Sequence, residues 1–216
     1  MSPTITIIGS TGLIGLEFLR AIRDGGYRSI TAISRRVIPD LSDKSYIHQS
    51  INDFTDLESM RSQLKTDVLV CTLGTTIKTA GSQKRFFEID HDMPLALAEI
   101  AREEGCHTFI LVSSMGANAQ SKIFYSRVKG QLEEAIKGVG FPRLHILRPS
   151  MLLGDRQEIR PGEFVGKLIM QPLSFLIPWK YKPIQARPLA AKIHELIANE
   201  EAGTWTWSGK DLFSKN

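Results

Sequence analysis

The chain has 216 residues, of which 42% are hydrophobic and 23% charged, and this composition excludes a disordered segment or a coiled coil. The length favours one well-buried α/β domain over residues 1–216 and leaves too little chain for two domains of usual size. The formal net charge of +4 is spread along the chain without a basic tail or stripe. We therefore expect no nucleic-acid partner.

The cysteines and the apolar segments bear on the cellular compartment of the protein. Cys71 and Cys106 stand in apolar, strand-like surroundings without the spacing of a metal site, so we expect no metal and two buried reduced thiols. Reduced thiols favour a cytoplasmic setting. The start MSPTITIIGS lacks the pattern of an export signal. The apolar stretch 164–179 is interrupted by Lys167, Gln171 and two prolines, so we expect no transmembrane segment.

The N-terminal half alternates apolar strands with amphipathic helices. A strand at 5–8 ends in glycine, and apolar residues then recur at helical spacing from 13 to 22. Residues 67–73 are almost continuously apolar, as in a strand buried on both faces. Further strands are predicted at 29–34 and 46–48, and a short capped helix at 53–64.

The same alternation continues towards the C-terminus. Strands are predicted at 108–112, 143–147 and 204–207, and helices at 93–104, 122–137, 164–170 and 188–199. Alternating strands and helices require crossover connections, so we predict an α/β fold with a doubly wound parallel sheet, the Rossmann fold. Residues 149–203 contribute a small C-terminal cap on the substrate side. The ligand site of such a sheet lies beyond the carboxyl ends of its strands.

A glycine-rich turn separates the first strand from the first helix. Glycines let the backbone turn tightly and approach a pyrophosphate, which then meets the free N–H groups of the helix N-terminus. The alternative is that these glycines serve only close packing. The turn consists of Gly9, Ser10, Thr11, Gly12, Leu13, Ile14 and Gly15.

Basic residues follow the second strand. Ser34 is succeeded by Arg35 and Arg36, where an enzyme that prefers NAD more often carries an acidic residue for the ribose 2′-hydroxyl. Two guanidinium groups can hold a 2′-phosphate in bidentate fashion, so we predict NADP(H) as the cofactor, with NAD(H) less favoured. The alternative is that either arginine is a solvated loop charge.

Small and polar residues follow the third and fourth strands. Leu73, Gly74 and Thr75 allow close approach of a ribose or phosphate, although the threonine hydroxyls at 75 and 76 are equally suited to capping the next segment. Asp53 is predicted to accept a hydrogen bond from an adenine amino group, with a helix N-cap as the alternative.

The fifth strand ends at Ser113 and Ser114, and Tyr125 and Lys129 follow four residues apart on one predicted helix face. The pKa of a tyrosine is about 10, and a nearby ammonium group lowers it. Ser114 is therefore predicted to hold a substrate oxygen while Tyr125 transfers a proton during hydride transfer, with Ser113 contacting the cofactor. An exposed helical pair of tyrosine and lysine is the alternative.

The segments GSTGLIG, CTLGTT, VSSMGA, YSRVK and LRPSMLLG resemble the short-chain dehydrogenase/reductase family, and the match covers most of the chain. The glycine spacing and Arg148-Pro149 are similar to its extended and atypical branches. In its short length, its SRR and CTLGTT segments and its compact cap, the chain resembles the oxidoreductases like the Tat-interacting protein more than it resembles the sugar-nucleotide epimerases.

This resemblance implies an NADP(H)-dependent oxidoreductase of a small carbonyl or alcohol substrate. It implies that Ser114, Tyr125 and Lys129 serve the reaction and that Lys129 reaches the nicotinamide ribose. The remaining implied cofactor contacts are residues 9–15, Arg35, Arg36, Leu73, Gly74, Thr75 and, behind the nicotinamide, Arg148, Pro149 and Ser150. The chain departs from the family at the asparagine of the proton relay, because Asp90 and His91 occupy that neighbourhood.

Two alternatives stay open at this point. The first is a cofactor-sensing protein that binds NADPH and engages a protein partner without catalysis, since a fold does not fix a function. The second concerns the apolar residues of 164–176, which we expect to cover the substrate pocket. They are also compatible with a homodimer contact or peripheral membrane contact.

Overall fold

A computed structural model of the chain describes residues 2–150, 152–153 and 184–213. Its strands are β1 (Thr4–Ile8), β2 (Ser29–Ser34), β3 (Ile47–Ile51), β4 (Val68–Cys71), β5 (Thr108–Val112), β6 (Arg143–Arg148), β7 (Leu152–Leu153), β8 (Ile184–Gln185) and β9 (Gly203–Ser208). Its α-helices are α1 (Leu13–Ala21), α2 (Arg61–Leu64), α3 (Ile77–Ala80), α4 (Gln83–Phe87), α5 (Met93–Glu103), α6 (Phe124–Val139) and α7 (Ala186–Ala198).

Seven strands form one sheet in the order β3-β2-β1-β4-β5-β6-β9, and every neighbouring pair is parallel. The order reverses between β1 and β4, because β2 and β3 lie to one side of β1 and the later strands to the other. This reversal opens a crevice at the carboxyl ends of β1 and β4, where doubly wound sheets bind their ligands. The predicted α/β Rossmann fold is confirmed.

Each face of the sheet carries its own apolar core. On one face, strand residues such as Ile7 and Val70 pack with Phe18 of α1 and Ile193 of α7. On the other, strand residues such as Leu69, Phe109 and Ile146 pack with helices α5 and α6. Because the central strands are buried on both faces, their sequences are nearly continuous in apolar residues.

The segment after β3 differs from its prediction. The helix predicted at 53–64 is wrong in its first part: the chain turns at Phe54, whose φ is +64°, and a 3₁₀ turn at Glu58–Met60 leads into α2. Local hydrogen bonds explain this, because the side chains of Asn52 and Asp53 accept from backbone N–H groups two residues ahead. Such bonds compete with helix formation.

Part of the segment predicted as a cap belongs to the main body. Helix α7 packs against α1, and β9 extends the sheet beyond β6. The helix predicted at 164–170 and the apolar residues around it lie outside the described residues. None of the helices in the described ranges has the length and apolar character that crossing a membrane requires. Those ranges also hold no group of three or more acidic, histidine or cysteine side chains able to bind a metal.

Candidate active site

The glycine turn packs against the end of β4. Gly9 has a φ of +81°, and a Cβ atom there would lie only 2.6 Å from the carbonyl carbon of Thr72. A Cβ atom at Gly15 would lie 2.5 Å from the carbonyl oxygen of Gly9. Gly12 is the N-cap of α1, and no side chain caps the helix. The first N–H groups of α1 are therefore available to an anion, as at other helix N-termini that bind phosphate.

Two hydroxyl groups fasten this turn to the sheet. The Thr72 hydroxyl donates to the carbonyl oxygens of Ile8 and Gly9, each at 3.0 Å. The Ser10 hydroxyl is buried and donates to the Ile33 carbonyl of β2 at 2.7 Å. Sequence reasoning missed this role of Thr72. The pattern that could have indicated it is a threonine placed directly after an apolar strand. The side chain of Ser10 has a structural role, which leaves its backbone for the predicted cofactor contact.

The other residues of the turn divide by exposure. Thr11 and Gly12 are exposed, Leu13 is half-buried, and Ile14 lies in the apolar core. Any contact of Ile14 with a cofactor must therefore come from its backbone. The structure thus places the backbone of 9–15 at the crevice, while the Ser10 and Ile14 side chains point away from it.

Two exposed arginines lie beyond the carboxyl end of β2. The Ser34 hydroxyl donates to the Arg36 carbonyl at 2.6 Å and so fixes the chain as it leaves the strand. Arg35 and Arg36 are both exposed, and no acidic side chain in the described part of the chain pairs with either. Val37 and Ile51 are exposed apolar residues next to them, and Ile51 is the register partner of Ser34. Sequence reasoning missed this apolar pair.

Asp53 lies after β3 and forms a local turn. Its carboxylate accepts hydrogen bonds from the backbone N–H of Thr55 at 2.9 Å and from the Thr55 hydroxyl at 2.7 Å. These bonds lower the pKa of Asp53. The geometry agrees with a local capping role, although no helix starts here, and the adenine contact stays a prediction.

The loop after β4 contains Leu73, Gly74, Thr75 and Thr76. The Thr76 hydroxyl accepts from the backbone N–H of Thr79 at 3.0 Å and so caps α3. The backbone N–H of Thr75 donates to Asp90 at 2.9 Å. Gly74 is exposed and Leu73 half-buried. The capping alternative therefore describes Thr76, and the segment 73–75 stays available to a ligand.

Lys129 is buried at the same edge of the sheet. Its Nζ lies 2.7 Å from Oδ1 of Asp90, and both side chains are almost fully buried. Burial lowers the pKa of Lys129, but the charge of Asp90, together with interactions with Tyr125, outweighs it and the pKa is raised overall. Tyr125 is half-buried one helical turn earlier, with its ring 5.6 Å from that of Phe86. The structure thus brings Tyr125 and Lys129 together and adds Asp90.

A second buried cluster supports the end of β5. Glu133 is fully buried one turn after Lys129 and accepts hydrogen bonds from the Ser113 hydroxyl and from Arg148, at 3.0 Å for Arg148 Nε. Ser114 is half-buried, and its hydroxyl donates to the Met115 carbonyl at 3.1 Å. The side chains of Ser113 and Arg148 are thus hydrogen-bonded to Glu133 within the protein.

The chain after β6 runs close to the serine pair. The Pro149 carbonyl accepts from the backbone N–H of Met115 at 2.8 Å, and Pro149 is buried while Ser150 is half-buried. This bond ties the end of β6 to the end of β5. Contacts of Arg148, Pro149 and Ser150 with a cofactor stay predictions.

Sequence reasoning missed Glu133 and did not assign a partner to Asp90. Their contacts join elements far apart along the chain, so no local pattern marks them. The signal for Glu133 was a charged residue on the apolar side of a predicted helix, since a buried charge requires a partner. For Asp90, the indication in the sequence was an aspartate at the place where the family carries an asparagine.

Comparison with known proteins places these features in a family. Residues 5–137 match the NAD dependent epimerase/dehydratase family. The chain is 35% identical to the mitochondrial protein FMP52 of Emericella nidulans over 169 residues, which cover 76% of this chain and 72% of that protein. It is 36% identical to HTATIP2 of Rattus norvegicus over 170 residues, covering 77% and 69% respectively. The resemblance to the branch of the Tat-interacting protein is confirmed.

A solved structure shows the same fold. The Bordetella bronchiseptica enzyme WbmH, crystallised in complex with NAD⁺, superposes with a TM-score of 0.74. The match covers 95% of this chain and 75% of that one, at 14% sequence identity.

The expectation of a cytoplasmic setting is contradicted by these relatives, because the FMP52 proteins are named as mitochondrial. Buried thiols such as Cys71 and Cys106 are protected by their burial, which raises both pKa values, to about 11 and about 12. They therefore do not identify a compartment. With its matched family region, its Rossmann sheet and its glycine turn, the chain belongs to the NAD dependent epimerase/dehydratase family.

Proposed function

We propose that the protein is an NADP(H)-dependent oxidoreductase of a small carbonyl or alcohol substrate. The observation that carries the proposal is the buried Lys129 ammonium group next to Tyr125 at the crevice edge of the sheet. A lysine buried in this way stabilises a tyrosinate, and a tyrosine that exchanges its proton near neutral pH is what carbonyl reduction requires.

The glycine turn suits a dinucleotide. Gly9 and Gly15 hold the turn so tightly against the sheet that side chains there would collide with backbone, and the uncapped start of α1 faces the crevice. This is the geometry in which backbone N–H groups bind a pyrophosphate. The preference for NADP(H) rests on the exposed guanidinium groups of Arg35 and Arg36, which suit a 2′-phosphate. Val37 and Ile51 would offer an apolar surface to the adenine.

The chemistry divides between the cofactor and three side chains. The nicotinamide, when bound, donates or accepts the hydride. When its hydroxyl turns from the Met115 carbonyl, Ser114 donates a hydrogen bond to the substrate oxygen. The Tyr125 hydroxyl delivers the proton to that oxygen during reduction, and the Tyr125 phenolate removes it during oxidation. Lys129 stabilises the Tyr125 phenolate through its positive charge.

The test is turnover of NADPH with a panel of small aldehydes and ketones by the wild-type protein and by Tyr125→Phe. The substitution removes the hydroxyl that carries the proton, so kcat/KM should fall by about 100-fold or more. NADPH affinity, measured by nicotinamide fluorescence, should stay the same. Tyr46→Phe is the matched control, because the Tyr46 hydroxyl donates to the Ile22 carbonyl away from the crevice.

The same titrations distinguish the parts of the proposal. Equal affinities for NADPH and NADH would contradict the role of the arginines, while Arg35→Ala and Arg36→Ala should selectively weaken NADPH binding. Turnover unaffected by Tyr125→Phe would refute the role of Tyr125 as acid and base. Tight NADPH binding without turnover of any carbonyl compound would favour a cofactor-sensing protein instead.

A further inference from the structure

Asp90 occupies an irregular turn between α4 and α5. Residues Glu88–Asp92 form a π-helical turn, which holds one more residue per turn than an α-helix and so redirects side chains. The Asp90 side chain is fully buried. Its Oδ1 lies 2.7 Å from Lys129 Nζ, and its Oδ2 accepts from the backbone N–H of Thr75 at 2.9 Å. One carboxylate thus joins α6 to the loop after β4.

The ion pair lies directly beneath that loop. A Cβ atom at Gly74 would lie 3.5 Å from Asp90 Oδ1 and 3.6 Å from Lys129 Nζ. Gly74 itself is exposed, so the ion pair lies close beneath the protein surface at this loop. Asp90 Oδ1 and Lys129 Nζ are 2.7 Å apart, so opposite charge and hydrogen bonding together hold the ammonium group.

The charged and titratable groups around Lys129 are few. Tyr125 on α6 and Cys71 on β4 interact with it, as does Asp90. Glu133 is also on α6, one turn further on, but its carboxylate is paired with Arg148. Among the described residues, Asp90 is thus the carboxylate that balances the ammonium group. Without it, burial would favour the neutral amine.

We propose that Asp90 is a positioning residue that fixes Lys129 against the Gly74-Thr75 loop and keeps a proton on the pair formed by Tyr125 and Lys129. This role rests on the proposed function, because it concerns the proton that Tyr125 delivers. A neutral asparagine at this place would hold the loop but not the charge. The chain's departure from the family pattern thus has a chemical consequence.

The decisive variant is Asp90→Asn, whose amide oxygen still accepts from the Thr75 N–H. Loss of the negative charge should let the Tyr125–Lys129 pair release its proton at lower pH, whichever of the two groups loses it. In the reduction direction, the alkaline limb of kcat/KM should therefore move to lower pH by about one unit or more. Asp92→Asn is the matched control, because Asp92 is exposed in the same turn.

A second measurement does not depend on turnover. The raised pKa of Lys129 stabilises the folded protein below the ordinary lysine pKa, and this stabilisation is lost as pH rises through the folded-state value. In Asp90→Asn, Lys129 is buried without its partner and its folded-state pKa should fall below the ordinary lysine value, so this alkaline loss of stability should disappear and the unfolding free energy should instead rise with pH. Urea unfolding of the wild type, Asp90→Asn and Asp92→Asn across alkaline pH measures it.

The outcomes separate this inference from the proposed function. If no carbonyl compound is turned over but Asp90→Asn reverses the alkaline slope of stability, the role of Asp90 in holding the proton stands and the proposed reaction fails. If Asp90→Asn loses stability equally at every pH and the alkaline limb of kcat/KM does not move, Asp90 is only structural and the inference is overturned. Should Asp90→Asn not fold, Asp90→Ser removes the same charge with a smaller side chain and should give the same changes in kcat/KM and in the alkaline slope of stability.

Discussion

Two glycines in helices provide a test of close packing at the level of the single residue. Gly15 of α1 faces the Gly9 carbonyl, so Gly15→Ala should cost about 2 kcal/mol of unfolding free energy and weaken NADPH binding. Gly138 of α6 is exposed, and a methyl group there would meet no neighbouring atom, so Gly138→Ala should gain about 0.5 kcal/mol. Urea unfolding and NADPH titration measure both. A Gly15→Ala protein with unchanged stability and affinity would contradict this account of the turn.

Single residues also show where sequence reasoning stops. The glycine turn and the Tyr125–Lys129 spacing were readable because each is a local pattern. Asp90 stands out in the sequence as a departure from the family's asparagine, but its contact with Lys129 depends on how α6 packs against the turn before α5. The hydrogen bond from the Ser10 hydroxyl to the Ile33 carbonyl of β2 depends in the same way on the register of the sheet. A sequence gives no direct sign of such long-range partners.

At the level of the element, apolar content decided what was predictable. Strands β2 and β5 have their predicted bounds: β5 is buried along its whole length and is apolar after Thr108, whereas β2 carries Ser29, Thr31 and Ser34 among its apolar residues. Helix α6 continues past Gly138 and ends before Gly140, which adopts the left-handed conformation. Helices α3 and α4 were not predicted, since α3 buries no side chain and α4 buries only Phe86. Such short helices lack a hydrophobic period.

Helix α6 is anchored to the sheet by the ion pair of buried Glu133 with half-buried Arg148, which offers a test at the element scale. Glu133→Met leaves Arg148 without its partner and should cost about 3 kcal/mol of unfolding free energy. The double variant Glu133→Met with Arg148→Met should lose less unfolding free energy than the sum of the losses in the two single variants. Denaturant unfolding of the four proteins measures the coupling. Glu134→Met is the control on the same helix, because Glu134 pairs with Lys137 at the surface and should matter little. Additive costs would show that the two residues do not act as a unit.

For the molecule as a whole, the edge of the sheet makes stability depend on pH. His145 of β6 is fully buried, stacks on Trp205 of β9 at 4.8 Å and accepts from the Trp207 indole at 3.3 Å. Burial, with the nearby cations Arg143 and Lys192, lowers its pKa to about 4. The neutral imidazole therefore belongs to the folded state. Protonation would place a third positive charge in the layer between β6, β9 and α7.

The sign of the effect follows from proton linkage. The unfolded chain binds a proton at His145 near pH 6.5 and the folded protein only near pH 4, so stability is complete above 6.5 and falls as pH drops between these values. The difference corresponds to about 3 kcal/mol at the acid end. Burial also lowers the pKa of His194, which lies on α7 and stacks on Phe18, and this adds to the same loss of stability. His145→Phe keeps a ring against Trp205 but cannot be protonated, so its unfolding free energy should decline less steeply from pH 6.5 to 4 in urea titrations. Between pH 7 and 8 the two proteins should have equal slopes, and an equal decline in acid would mean that His145 is already charged in the folded protein.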